Sequence, residues 1–279
     1  MKKIIAHINP DLDAVTSVWL LKRFLPGWQE SEIDFIQADK NNKSQENKDT
    51  DDTLYVDVGG GKLDHHQTNK HISATKLCWD YIQEKRASER LGQLEEKAIA
   101  RLVDVVTQID NADDLSWSET KNDRFQFYLH NLIDGWRELA LDDMEVVEEG
   151  LRMLDAILLL LKNKLKAEEE IKKATVFKTK WGKGICFETG NKHFLNLAIV
   201  LGYQVAFIKN PKNSGVRIHA RPRSKIDFTS IYEKVKKLDP QSDWFLHASK
   251  KMLLNSASVA KMKPTKLSLK EIIEVLKNV

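Results

Sequence analysis

Residues 4–21, IIAHINPDLDAVTSVWLL, contain two apolar runs separated by a short polar turn with a proline. The first run predicts a buried strand over residues 2–6, and the second predicts a helix over about residues 14–24, ended by a Pro-Gly pair. The turn between them carries one imidazole and two carboxylates: His7, Asp11 and Asp13. These three side chains are therefore expected where a strand ends and a helix begins.

The composition indicates a globular protein that can bury a core. The chain has 279 residues, of which 42% are hydrophobic and 30% charged, with a formal net charge of +3. Two distant cysteines, Cys78 and Cys186, suit a reducing compartment and exclude a disulfide framework. The most apolar segment, residues 151–161, is too short to span a bilayer. We expect a cytoplasmic protein without a signal peptide and without a membrane partner.

The first half of the chain alternates strands with helices. Further strands are predicted at residues 33–38 and 53–61, with a polar surface loop over residues 39–52 between them. Helices are predicted over residues 73–86 and 93–110. This alternation is typical of an α/β fold, with a mainly parallel sheet and helices on both faces.

The second half follows a different pattern. One long helix, residues 142–173, is expected to link residues 1–141 to a smaller α+β domain over residues 174–279. In that domain we predict a hairpin over residues 174–189. Two further strands and two helices are expected at residues 203–210, 215–222, 227–238 and 267–278.

Histidines and aspartates recur at the predicted strand or helix ends in four stretches. After HINPDLD these are Asp57 in YVDVGGG, Asp64, His65 and His66 in KLDHHQT, and Asp110 in QIDNADD. Because the carboxyl ends of the strands share one edge in such a sheet, residues distant in sequence can converge there. Carboxylates with imidazoles and no thiolate favour a divalent ion such as Mn²⁺. Five or six such ligands suit two ions bridged by a shared carboxylate, which is an arrangement for phosphoryl chemistry.

Each stretch also has a purely structural interpretation. Asp11 or Asp13 could cap the following helix, and Asp57 could form a turn before the glycines. The adjacent pair His65 and His66 is harder to explain by packing alone.

The four stretches, in this order, resemble the four motifs of the DHH phosphoesterase superfamily over about residues 1–115. HINPDLD is closest to the H-x-N-P-D-x-D form of family II inorganic pyrophosphatases. DVGG, DHHQ and IDNAD resemble the MYG-type branch, whose members act as exonucleases.

The resemblance implies a role for each residue. His7, Asp11 and Asp57 would bind one Mn²⁺ ion. Asp13, Asp57, His65 and Asp110 would bind the other, with Mg²⁺ or Co²⁺ as alternative metals. His66 would face the substrate phosphate and Asp64 would orient a histidine, so we regard both as catalytic residues. Asp113 and Asp114 are the fallback candidates for Asp110.

The predicted C-terminal domain carries a second pattern of polar residues. Arg217, His219, Arg221 and Arg223 alternate, so a strand would place them on one face. They could bind phosphates or form a solvated edge strand. His247, in FLHAS, is either a further substrate-binding residue or a core histidine.

Three hypotheses of function remain. The leading one is a Mn²⁺-dependent phosphoesterase that hydrolyses short or single-stranded nucleic acid like an exonuclease. The others are a small-molecule phosphohydrolase acting on pyrophosphate or pAp, and a non-catalytic nucleotide sensor. The modest net charge argues against long duplexes as substrates. The oligomeric state is not indicated by the sequence.

Overall fold

The computed structural model describes residues 1–38, 49–86, 89–255 and 262–278. The chain divides into two compact units, Met1–Lys162 and Asn163–Val279. The border between them falls inside the long helix that the sequence predicts as a linker. Most of the polar loop predicted over residues 39–52 lies outside the described residues.

The N-terminal unit is built on a three-stranded parallel sheet in the order β2-β1-β3. The strands are β1 (Lys3–His7), β2 (Glu32–Ile36) and β3 (Thr53–Tyr55). Ile4, Ile5 and Ala6 are all buried, as expected for the central strand of a sheet covered on both faces. β3 is shorter than predicted, since the chain turns at Asp57, whose φ is +56°.

Helices flank this sheet, which confirms the predicted α/β class. They are α1 (Leu12–Phe24), α2 (Ala74–Lys85), α3 (Gln93–Asp110), α4 (Leu129–Glu138) and α5 (Asp143–Lys173), with 3₁₀ helices at Asp113–Ser116 and Asp123–Phe127. Residues 12–21 of α1 are buried without interruption, so this helix is enclosed on all sides. α4 and the 3₁₀ helices lie in a stretch for which the sequence analysis predicts no element.

The C-terminal unit contains a six-stranded mixed sheet in the order β4-β5-β6-β7-β9-β8. Its elements are β4 (Thr175–Thr179), β5 (Gly182–Glu188), α6 (His193–Val200), β6 (Val205–Lys209), β7 (Val216–Ala220), α7 (Thr229–Leu238), β8 (Phe245–Leu246), β9 (Met252–Asn255) and α8 (Leu269–Lys277). Val205 and Phe207 belong to one apolar cluster, and Ala206 and Ile208 to another. β6 therefore has a core on both of its faces, and the predicted hairpin of β4 and β5 is present.

Strand β7 is internal, because it pairs with β6 on one side and β9 on the other. The edge-strand interpretation of residues 215–222 is therefore wrong. β7 also ends at Ala220, so Arg221 and Arg223 lie beyond it. The reason is local: Pro222 cannot donate a ladder hydrogen bond, and Arg223 has a φ of +56°.

Within the described part of the chain, we find no helix with both the length and the apolar character that a membrane crossing requires.

Candidate metal centre

The structure brings together seven of the histidines and aspartates named above, all in the N-terminal unit. We call this set the acid–histidine cluster: His7, Asp11, Asp13, Asp57, His65, His66 and Asp110. Within it, three groups each offer ligand atoms that lie within 4.8 Å of one another. The groups are His7 with Asp11 and Asp57, Asp13 with His65 and Asp110, and Asp57 with His65 and His66. Because Asp57 and His65 each belong to two groups, the three are parts of one connected site.

Asp57 lies at the centre of the cluster. Its Oδ2 is 3.3 Å from Nε2 of His7, and its Oδ1 is 3.3 Å from Nε2 of His65. The side chain is 2% exposed. The two oxygens of one buried carboxylate thus face imidazoles from two different groups, which is the arrangement expected of a bridging ligand.

The backbone around Asp57 holds this carboxylate in place. Val56 continues the sheet by donating its N–H to the carbonyl of Ile5 at 2.9 Å, and Asp57 donates to the carbonyl of Leu63 at 3.1 Å. The left-handed φ of Asp57 is uncommon for a residue other than glycine, although aspartate tolerates it better than most. The chain therefore accepts a less favourable backbone conformation at the residue that the two groups share.

Asp11 and Asp13 have structural partners as well as places in the cluster. Asp11 caps α1 by accepting a hydrogen bond from the N–H of Ala14 at 3.0 Å. The buried carboxylate of Asp13 accepts bonds from the N–H groups of Ala74 and Thr75 at 2.7 and 2.8 Å, at the start of α2. The capping alternative is thus realised for Asp11. A carboxylate has enough lone pairs to serve a helix end and a metal ion together.

His66 is oriented by Asp64. Nδ1 of His66 lies 2.7 Å from Oδ1 of Asp64, and the other oxygen of Asp64 accepts the N–H of Gly60 at 2.8 Å. The hydrogen bond to Asp64 raises the pKa of His66. Asp64 is buried while the His66 side chain is 55% exposed. His66 is thus a fixed imidazole that faces solvent at the edge of the cluster.

Asp110, the last residue of α3, lies 3.6 Å from Nε2 of His65 through its Oδ2. Of the two fallback candidates, Asp113 pairs with His71 at 2.9 Å, and Asp114 faces His130 at 3.5 Å. Neither belongs to the ligand groups found among the described residues. The geometry therefore favours Asp110.

Two observations test whether the cluster fits divalent cations. First, Asp57 Oδ1 and Asp110 Oδ2 are buried and have no hydrogen-bond partner in the described part of the chain. Buried carboxylate oxygens without a partner are costly, and a cation compensates them. Second, the donor atoms are carboxylate oxygens and imidazole nitrogens without sulfur, a set that suits Mn²⁺. The residues present fit such ions.

The pKa values of the cluster residues also indicate a cation-binding site. Burial and the nearby carboxylates of Asp57 and Asp110 raise the pKa of Asp13 to about 8. Burial, together with Asp57, also raises the pKa of Asp110 to about 6. Although burial opposes it, the nearby carboxylates of Asp11 and Asp57 raise the pKa of His7 to about 10. The carboxylate of Asp57 likewise raises the pKa of His65 to about 9. Without cations, the cluster therefore retains protons that it must release to bind them.

The predicted substrate-binding residues of the C-terminal unit are less closely grouped than the residues of the acid–histidine cluster. Arg217 and His219 share the half-exposed face of β7, and the other two arginines of the row are exposed beyond its end. Burial, with Arg217 nearby, lowers the pKa of His219 to about 4. His247 follows β8 in a turn, where Nδ1 accepts the N–H of Ser249 at 3.1 Å. It is half-buried rather than a core residue.

Sequence reasoning missed three residues that line a cavity of about 330 Å³ beside the cluster: His130, Asp134 and Arg137. Three cluster acids and Asp114, one of the fallback candidates, line the same cavity. In sequence His130 has no acidic cluster around it, but the fold brings Asp114 to it. The aromatic run RFQFYLH, residues 124–130, which lies downstream of the fourth motif at residues 109–113, was the signal that could have directed attention here.

The sequence matches no protein family model and no curated protein. Among solved structures, it is similar to a pGpG-specific phosphodiesterase, PggH from Vibrio cholerae (14% identity, 91% of each chain, TM-score 0.27). It is also similar to RecJ in complex with Mg²⁺ from Thermus thermophilus (11% identity, 99% of this chain and 49% of that chain, TM-score 0.34). A third is the DHH domain of a member of the s1p family of ribosomal proteins (10% identity, 99% and 85%, TM-score 0.34).

This chain thus spans about half the length of that RecJ. Within the chain itself, the site is defined by a buried carboxylate shared between two sets of atoms that could bind metal ions.

Proposed function

We propose that this protein is a Mn²⁺-dependent phosphoesterase of the DHH superfamily that hydrolyses phosphodiesters in short or single-stranded nucleic acid. The observation that carries the proposal is the shared carboxylate of Asp57, whose oxygens each lie 3.3 Å from a histidine of a different ligand group. The order of the four motifs supports the superfamily, with a first motif like that of family II pyrophosphatases and later motifs like the MYG-type branch.

The ligands divide between two ions. His7, Asp11 and Asp57 would hold the first ion. Asp13, Asp57, His65 and Asp110 would hold the second. When bound, such ions supply Lewis acidity to a phosphoryl oxygen and lower the pKa of water. The ligands would come from the end of β1, the start of α1, the turns that follow β3 and the end of α3.

His66 acts on the substrate. Its Nδ1 is bound to Asp64, so the ring is fixed with its other nitrogen, Nε2, free to donate a proton or a hydrogen bond. The raised pKa of His66 favours the protonated form that a phosphoryl oxygen or a leaving alkoxide requires. Asp64 positions that imidazole and is itself held by the backbone of the glycine turn.

Basic residues of the C-terminal unit bind the other phosphates of the substrate. Arg217, His219, Arg221, Arg223 and His247 are the residues we assign to this role. Arginine guanidinium groups suit phosphate because they form paired hydrogen bonds with it. The modest net charge of +3 argues against a long duplex, whose binding requires many phosphate contacts, so we assign a short or single-stranded substrate.

The test uses metal-stripped protein with added Mn²⁺, Mg²⁺ or Co²⁺. Its substrates are end-labelled oligonucleotides of graded length, pyrophosphate and pAp. Mononucleotides released with Mn²⁺, and not by Asp57→Asn, support the proposal. Asp51→Asn removes an exposed carboxylate near β3 and serves as the matched control, which should retain activity.

Other outcomes give other answers. Phosphate released from pyrophosphate or pAp alone would identify a small-molecule phosphohydrolase. Tight nucleotide binding without turnover under every metal would indicate a nucleotide sensor.

A further inference from the structure

An apolar groove of about 380 Å³ lies in the N-terminal unit beside the cavity that contains cluster acids. The groove and the cavity share four lining residues, Leu12, Val106, Ile109 and His130. The cavity is also lined by the cluster acids Asp11, Asp13 and Asp110. The groove and the cavity are therefore adjacent, and a ligand with its phosphate at the acid–histidine cluster could extend into the groove.

Aromatic side chains line one side of the groove. Trp117 and Tyr128 are half-buried, with ring centroids 6.1 Å apart and planes tilted by 56°. Phe127 also lines the groove, although 79% of its surface is exposed. The remaining lining is aliphatic and comes from α3 and α5 and the start of α4: Leu102, Val105, Leu129, Leu154, Ile157 and Leu161. Such a surface suits a flat apolar group that can stack on exposed rings.

Polar groups lie where the groove meets the cavity. Both ring nitrogens of His130 are buried and have no hydrogen-bond partner among the described residues. Burial lowers the pKa of His130, so its imidazole is neutral at neutral pH; Nε2 faces the carboxylate of Asp114 at 3.5 Å, which leaves Nδ1 for a ligand. Arg137 lines the cavity on the same helix. From the cluster outward, the order is thus metal ligands, then hydrogen-bonding groups, then aromatic rings.

We propose that this groove binds the nucleobase of the terminal nucleotide of the substrate, with the scissile phosphate at the acid–histidine cluster. The order of chemistries matches that of a nucleotide, namely phosphate, ribose and base. The proposal rests on the proposed function in that the cluster is the phosphate site. It also deepens that function, because inorganic pyrophosphate has no apolar part to occupy the groove.

The experiment measures binding separately from hydrolysis. Calorimetry compares AMP with ribose 5-phosphate, in the presence of Mn²⁺, for the wild type, Phe127→Ala and Val105→Glu. Val105 lines the groove and is 42% exposed, so its replacement places a charge in the base site without opening the core. Leu115→Ala is the matched control, since Leu115 is 67% exposed in the neighbouring 3₁₀ helix and does not line the groove.

We expect both groove variants to bind AMP about fivefold more weakly or worse, as loss of a stacking contact predicts. Their affinity for ribose 5-phosphate should stay at the wild-type value, and Leu115→Ala should bind both ligands normally. In turnover, Phe127→Ala should raise KM for a trinucleotide with little change in kcat. A trinucleotide with abasic ends should show no such increase.

The proposal is overturned if the wild type binds AMP no more tightly than ribose 5-phosphate, or if the groove variants weaken both ligands equally. It is also overturned if Phe127→Ala dissociates a wild-type dimer in sedimentation and leaves AMP affinity unchanged, since the groove is then a subunit interface. Failure of the proposed function looks different. In that case no substrate is hydrolysed, although Phe127→Ala still weakens AMP binding.

Discussion

The acid–histidine cluster is built differently from the basic residues near β7 of the C-terminal unit. We call these four residues the arginine–histidine row: Arg217, His219, Arg221 and Arg223. The cluster gathers residues from four distant stretches at strand and helix ends, and its central carboxylate is 2% exposed. The row comes from one short stretch, and the fold separates it, because β7 ends at Ala220 before Arg221 and Arg223. Groups with fixed, buried positions can bind metal ions tightly, whereas exposed arginines contribute modest, salt-dependent attraction.

The largest effect should come from removing the shared carboxylate. Asp57→Asn should lower kcat by about a thousandfold and abolish tight Mn²⁺ binding, because both proposed ions lose a ligand. Calorimetry of Mn²⁺ binding, run beside the turnover assay, checks the two effects together. Asp51→Asn should change neither. Retained activity in Asp57→Asn would contradict the central place of this residue in the site.

Removing the metal should make the stability of the protein depend on pH. In the metal-free protein, the pKa of His7 is about 10 and that of Asp13 is about 8, both above their unfolded values. The folded state then binds more protons, so the stability contributed by His7 is lost between about pH 6.5 and 10, and the cost of ionising Asp13 grows between about pH 4 and 8. Bound Mn²⁺ removes both effects by displacing these protons.

The difference in melting temperature with and without Mn²⁺ should therefore grow between about pH 6 and pH 8.5. Thermal unfolding at several pH values measures it. At a hundredfold excess over Kd, ligand binding contributes about 2.7 kcal/mol. A difference that is constant or shrinks over this range would mean that the cluster does not exchange protons for metal.

Substitutions at two glycines, one in each unit, test whether Mn²⁺ binding depends on the N-terminal unit alone. A Cβ at Gly150 of α5 would overlap Cγ1 of Val15, a fully buried residue of α1. Gly150→Ala should destabilise the N-terminal unit by about 1–3 kcal/mol and, by moving α1 with its two aspartates, weaken Mn²⁺ binding. A Cβ at Gly184 would lie 2.5 Å from the ring of Phe177. Gly184→Ala should be similarly destabilising but leave Mn²⁺ affinity unchanged.

Hydrogen exchange in each unit and Mn²⁺ calorimetry measure these effects. Gly135→Ala is the control for the helical glycine, since nothing lies within 4 Å of its Cβ position. It should be neutral or stabilise α4 by up to about 1 kcal/mol. Equal loss of Mn²⁺ affinity in Gly150→Ala and Gly184→Ala would mean that the cluster depends on both units.

The contrast between the acid–histidine cluster and the arginine–histidine row also explains which parts of the site the sequence predicts well. His7, Asp11 and Asp13 follow a strongly apolar strand and precede a strongly apolar helix, so their place in the fold follows from local pattern alone. His65 and Asp110 could be grouped with them because parallel strands share one carboxyl edge. Arg221 was harder to place, because alternation of residue types does not reveal where a strand ends. His130 and the groove were missed, since they depend on packing of short elements that have little periodicity of their own.

The smallest effects should come from the exposed arginines. Arg221→Gln and Arg223→Gln should each raise KM for an oligonucleotide about two- to fivefold, with kcat and stability unchanged, because each removes one of the proposed solvent-exposed phosphate contacts. The increase should shrink at high salt, where the wild type has also lost that attraction. Lys225→Gln, an exposed cation two residues further along, is the matched control for net charge. If all three variants raise KM equally, the arginines act through net charge alone, and the C-terminal unit has no specific phosphate site at these positions.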